Sequence, residues 1–87
     1  MNKTEAKKVI KDAVNEAILY CGSQVSLAEK SNLTQGAIGK YIREEAMPTG
    51  VTARRLSEAV DFTIPKERFA PLDRDWETCD PQYKIAS

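Results

Sequence analysis

The chain has 87 residues, 41% hydrophobic and 30% charged, with 13 Lys/Arg against 13 Asp/Glu and no His. That length holds one domain, because a second would bury no useful core, and the apolar share is too high for a wholly disordered chain. Zero net charge argues against a non-specific nucleic-acid coat; no apolar run reaches the length of a membrane span, and Met1-Asn2-Lys3-Thr4 leads into an amphipathic pattern and not a signal region, so a cytoplasmic address is expected.

Residues 3 to 20 carry the strongest helical pattern. Ala6, Val9, Ile10, Ala13, Val14, Ala17 and Ile18 recur at three- and four-residue spacing, opposite Lys7, Lys8, Lys11, Asp12, Asn15 and Glu16. Asn2 with Glu5 resembles a capping box, and Gly22 stops the helix. Its small apolar residues favour close packing against other helices over a membrane surface, so it forms a back wall for the pair of helices next in the chain.

Ser23 to Arg43, SQVSLAEKSNLTQGAIGKYIR, reads as two short helices joined by a tight turn. Ser23 caps a helix from Gln24 to about Ser31, and Asn32 supplies the left-handed backbone that a sharp turn needs. Wound at 3.6 residues per turn from Thr34 to Glu44, the next segment places Ala37, Ile38 and Tyr41 on one face. Gln35, Gly36, Gly39, Lys40 and Arg43 share the other. An amide, two cations and two residues without side chains make a thin polar strip that fits close against a duplex. Gln pairs bidentately with adenine, and Lys or Arg with guanine. The alternative is an amphipathic helix whose polar side is only solvated. Both Gly36 and Gly39 soften the helix.

Glu44 to Gly50, with Pro48, closes this unit as a turn. Thr52 is expected to cap a fourth helix from about Ala53 to Val60, with Ala53, Leu56, Ala59 and Val60 inward and Arg54, Arg55, Ser57 and Glu58 outward. Arg54 and Arg55 either add phosphate contacts or stay solvated. Asp61 to Ile64 turns the chain, with a short extended piece; Pro65 then starts a last helical turn that returns Phe69 and Leu72 to the core. The expected fold is therefore all-α, a bundle of four to five short helices in residues 1–72. Residues 73–87 form a C-terminal tail, flexible or associated with a dimer, in which Trp76 packs on the domain or on a second subunit.

At Cys21-Gly22-Ser23-Gln24, Ala28, Thr34-Gln35 and Ala37-Ile38-x-Lys40-Tyr41 the sequence resembles the Cro-like helix-turn-helix repressors of bacteriophages and prophages, and the related YdaS-like toxin–antitoxin regulators. Pro48, Phe69-Ala70-Pro71 and Trp76 extend the likeness, which covers roughly residues 10 to 76. Asn32 stands where that family commonly has Gly. The resemblance implies a lambda-repressor-like bundle whose second motif helix enters the major groove of operator DNA, with Ser23 and Gln24 at a phosphate. The first residues of such a helix are the ones that enter the groove, so Gln35 is the leading base contact, followed by Lys40. Thr34 caps and meets phosphate, Gly36 and Gly39 allow close approach, and Arg43 contacts phosphate. Lys30 reaches either the DNA backbone or water.

Charge distribution agrees: residues 1–43 hold seven Lys/Arg and four Asp/Glu, and residues 44–87 hold six and nine. A basic half presents one side to phosphate. A homodimer, at least on DNA, would read half-sites about 34 Å apart. The leading reading is a sequence-specific transcriptional regulator, most simply a repressor, in the cytoplasm of a bacterial or phage-infected cell, at the nucleoid. Its rival is an antitoxin or anti-repressor acting through protein contacts, with the acidic C-terminal half as the partner surface. An enzyme is not expected, for lack of His, a phosphate-binding Gly-rich loop or a nucleophile with a base. Cys21 and Cys79, far apart and without CxxC spacing, imply neither a zinc site nor a disulfide, so no metal or cofactor is expected.

Overall fold

The structure, a computed structural model, describes residues 2–71. Asn2 starts the first helix by accepting the Glu5 N–H on its side chain at 2.8 Å, and α1 runs from Lys3 to Cys21. It stops at Gly22, whose φ of 98° is open to glycine but strained for other residues. Ala6, Ile10, Ala13, Val14 and Ala17 are buried along one stripe, and the three alanines let neighbouring backbones come close. This helix packs against each of the other four.

Three short helices follow, each opened by a hydroxyl. Ser23 caps α2, Gln24–Ser31, by accepting the Ser26 N–H at 3.1 Å; Thr34 caps α3, Gln35–Ile42, by accepting the Ala37 N–H at 3.0 Å. Thr49 caps α4, Gly50–Ala59, through the Thr52 N–H at 3.3 Å. The expected cap at Thr52 is therefore one turn late: Thr52 is the donor into the cap, and Gly50, read as part of the turn, is already helical. α5, Lys66–Phe69, starts after Pro65 as expected. An all-α fold is thus observed, with no strand among the described residues. None of their helices is long and apolar enough to cross a membrane.

Three helices end alike. After α2, Asn32 (φ 58°) is left-handed, and the Leu33 N–H reaches back to the Ala28 carbonyl at 2.9 Å. After α3, Glu44 (φ 61°) does the same, with Glu45 N–H on the Lys40 carbonyl at 2.9 Å. After α4, Asp61 (φ 53°) is followed by Phe62 N–H on the Ser57 carbonyl at 2.9 Å. Each is a Schellman closure, in which a left-handed residue lets two N–H groups satisfy carbonyls left open at the helix end. α3 therefore stops at Ile42, capped by Arg43, and the chain turns at Glu44, where the closing turn is expected to begin. Asp61 and Phe62 are both left-handed, so the expected extended piece at 61–64 is a tight turn instead.

The core joins Ile10 and Val14 of α1 to Leu27, Ile38, Leu56 and Phe69, all at most 1% exposed. Full burial of such side chains stabilises by roughly 1.5–3 kcal/mol each, before the entropy of ordering them is counted. Ser57 corrects the expected orientation of α4: it is buried, and its hydroxyl donates to the Ile64 carbonyl at 2.7 Å, pinning the turn to the helix. Arg54 is also largely covered and pairs with Glu58 at 3.0 Å, whereas Arg55 is exposed. Cys21 is half-buried with its sulfur 3.7 Å from the Ala59 carbonyl, and burial raises its thiol pKa. Tyr20 donates to the Asp61 carboxylate at 2.7 Å, and Arg68 of α5 pairs with Glu16 of α1. The expectations for Leu72, Trp76, Cys79 and the rest of 73–87 lie outside the described residues.

Candidate nucleic-acid interface

The candidate site begins at two capped helix starts. The cap at Thr34 fixes the first turn of α3, and with it the outward direction of Gln35 and Gly36, both exposed. Ser23 does the same for α2 and also bonds the Ser26 hydroxyl at 3.1 Å. Between them, the Gln24 side-chain amide donates to the Gln35 carbonyl at 3.2 Å. That bond ties the two helix starts together. Sequence patterning did not signal it, because its acceptor is a main-chain carbonyl on another helix.

Along α3 the two faces separate as expected. Ile38 and Tyr41 are buried and Ala37 is half-buried. Burial raises the Tyr41 phenol above its ordinary pKa, so it stays an uncharged packing group. Gln35, Gly36, Lys40 and Arg43 are exposed on the other side. Gly36 faces open space, since an added Cβ would meet only the Thr34 hydroxyl, at 3.8 Å.

Gly39 behaves differently. It is buried because the Arg43 side chain folds over it, and an added Cβ would lie 2.8 Å from Arg43 Nη1. The strip expected from Gln35 to Arg43 is thus open at 35, 36 and 40 and roofed by a guanidinium at 39. Arg43 Nε in turn pairs with the Glu45 carboxylate. Glu45 was not among the residues singled out in the sequence. Its position follows from the left-handed Glu44, which residue type alone does not announce. Glu44 itself points elsewhere, to Lys11 of α1 at 3.9 Å.

Such a surface offers an exposed amide, two cations and a bare backbone stretch, which bind by hydrogen bonds and charge. Among the described residues no group of His, Cys, Asp or Glu is arranged to hold a metal ion. No curated protein and no solved structure matches the chain. A helix-turn-helix family does: its model matches residues 22–66, from the Gly22 stop through α2, α3 and α4 to the first residue of α5. With more than half of its length matched, including the capped pair and the Asn32 turn between them, the chain belongs to the helix-turn-helix family of DNA-binding transcriptional regulators.

Proposed function

We propose that the chain is a Cro-like phage or prophage repressor that occupies an operator as a homodimer, with α3 in the major groove. The exposed start of α3 carries this reading: Gln35 stands free on a helix whose origin is fixed by Thr34 and by the Gln24 bond, with a bare Gly36 beside it. Gln35 and Lys40 read base edges. Ser23, Gln24, Thr34 and Arg43 meet phosphate, Gly36 brings the backbone near the groove wall, and Gly39 leaves room for the Arg43 side chain. Repression then needs only occupancy, with salt-dependent affinity from phosphate and sequence choice from the few base contacts.

A second reading is an antitoxin or anti-repressor that works through protein contacts. It is favoured by Leu19 and Phe62, large apolar side chains that are 82% and 65% exposed beside the Tyr20–Asp61 bond. Selection of bound duplexes from a random pool at physiological salt, with the native chain and with a Gln35→Ala, Lys40→Ala variant, separates the two. The repressor reading expects a palindromic motif that broadens or vanishes in the variant. No enrichment by a folded native chain would sink it and favour the protein-contact reading.

A further inference from the structure

Arg43 occupies an unusual place for a residue that meets phosphate. Its guanidinium is drawn back across Gly39, where only a residue without a side chain leaves room, and its Nε is held by Glu45. The carboxylate is brought there by the Schellman closure of α3, in which Glu44 is left-handed and Glu45 N–H bonds the Lys40 carbonyl at 2.9 Å. The same bend sends the preceding carboxylate, Glu44, toward Lys11. Two adjacent acids therefore serve different partners, and only Glu45 engages the candidate interface. Arg43 and Glu45 side chains are 58% and 52% exposed, so the pair is open to water and exchangeable.

We infer that Glu45 tunes the interface by competing with DNA phosphate for Arg43, an inference that rests on the DNA-binding reading above. In the free protein the carboxylate parks the guanidinium across α3, which neutralises one of the cations on that face. On a duplex, the denser charge of the phosphate backbone draws Arg43 away, and Glu45 is left in water. Salt weakens both the Arg43–phosphate bond and the Arg43–Glu45 pair that it replaces. The native chain therefore loses affinity with salt less steeply than a chain whose Arg43 has no internal partner. Glu45 is thus a positioning residue that sets how much affinity comes from phosphate and how much from base edges.

The test measures binding to one labelled operator duplex across a salt series, with far-UV circular dichroism to check folding of each variant. Glu45→Gln should tighten binding by up to about fivefold at low salt, the range spanned by exposed ion pairs. It should steepen the plot of log affinity against log salt by up to about one unit. Glu44→Gln removes the same charge one residue away while leaving the Arg43 pair intact, and should do clearly less. In an Arg43→Ala background, Glu45→Gln should give no more than Glu44→Gln does. Equal gains from both acids, a gain that persists without Arg43, or no gain from Glu45→Gln would each overturn the competition while leaving DNA binding in place. A native chain that binds no duplex would overturn the DNA-binding reading, and this inference with it.

Discussion

Replacing Ser57 by Ala and replacing Ser31 by Ala remove the same oxygen from two sites of nearly equal burial, 1% and 2% exposed, yet the two changes should differ in sign. The Ser57 hydroxyl donates at 2.7 Å to the Ile64 carbonyl, in a turn where no backbone N–H among the described residues reaches that oxygen. Its loss strands a buried acceptor, at a cost of about 1–3 kcal/mol, offset by about 0.5 kcal/mol because Ala is the better helix former. Ser31 donates instead to Leu27 and Ala28 of its own helix, at 2.6 and 3.3 Å. Those carbonyls keep backbone donors without it: Leu27 through the helical ladder, and Ala28 through Leu33 N–H at 2.9 Å. Ser31→Ala should thus be neutral or stabilising by a few tenths of a kcal/mol. In urea unfolding followed by circular dichroism, with a slope of about 1 kcal/mol per molar, Ser57→Ala should lower the midpoint by roughly 0.5–2.5 M and Ser31→Ala should leave it unchanged or slightly raised. Equal losses at both positions would refute the reasoning, because burial alone, and not the fate of the acceptor, would then set the cost.

Gly36→Ala should raise stability by about 0.5–1 kcal/mol, a melting shift of roughly 2–8 °C, because the added methyl enters open space on a helix that glycine weakens. The same methyl should weaken duplex binding if α3 lies in the groove, so melting and affinity measured on one sample should move in opposite directions. For the Glu16–Arg68 tie, the hydrogen bond to Arg68 holds the Glu16 carboxyl below its ordinary pKa. A depressed acid contributes stability above the ordinary carboxylate range and loses it as pH falls through the folded value. The melting difference between native and Glu16→Gln should therefore be present at neutral pH and vanish in acid. A difference that persists there would mean packing, not charge, joins α1 to α5.

Where the fold was legible, the signals were local. Asn2, Ser23 and Thr34 are short polar residues just before an apolar rhythm, and Gly22 and Asn32 are residue types that accept a left-handed backbone; each bounds a helix where expected. Thr49 and Thr52 compete as caps with equal chemistry, and the expectation that Gly50 breaks the helix chose the wrong one. Polarity points Ser57 outward, although its position between Ala53 and Val60 falls on the buried register, so spacing holds the better signal. Glu44, Asp61 and Phe62 carry left-handed backbones that their identities do not advertise. At the candidate interface, the division of α3 into buried and exposed faces followed from periodicity. The Gln24–Gln35 bond and the Arg43–Glu45 pair did not, because both arise only once the helix ends are bent into place.

The central position of α1 divides the molecule by how freely its residues can change. Ala6, Ala13 and Ala17 are wholly buried on the helix that, among the described residues, touches all the others, so an added methylene at any of them strains the packing there. Gln35, Gly36 and Lys40, on the far face of a helix anchored from behind by Ile38 and Tyr41, carry no such burden. Side chains exchanged at those exposed positions meet solvent and not the packed interior, so they leave the core contacts as they are. The exposed positions of α3 therefore accept a change of side chain that the inner alanine stripe does not.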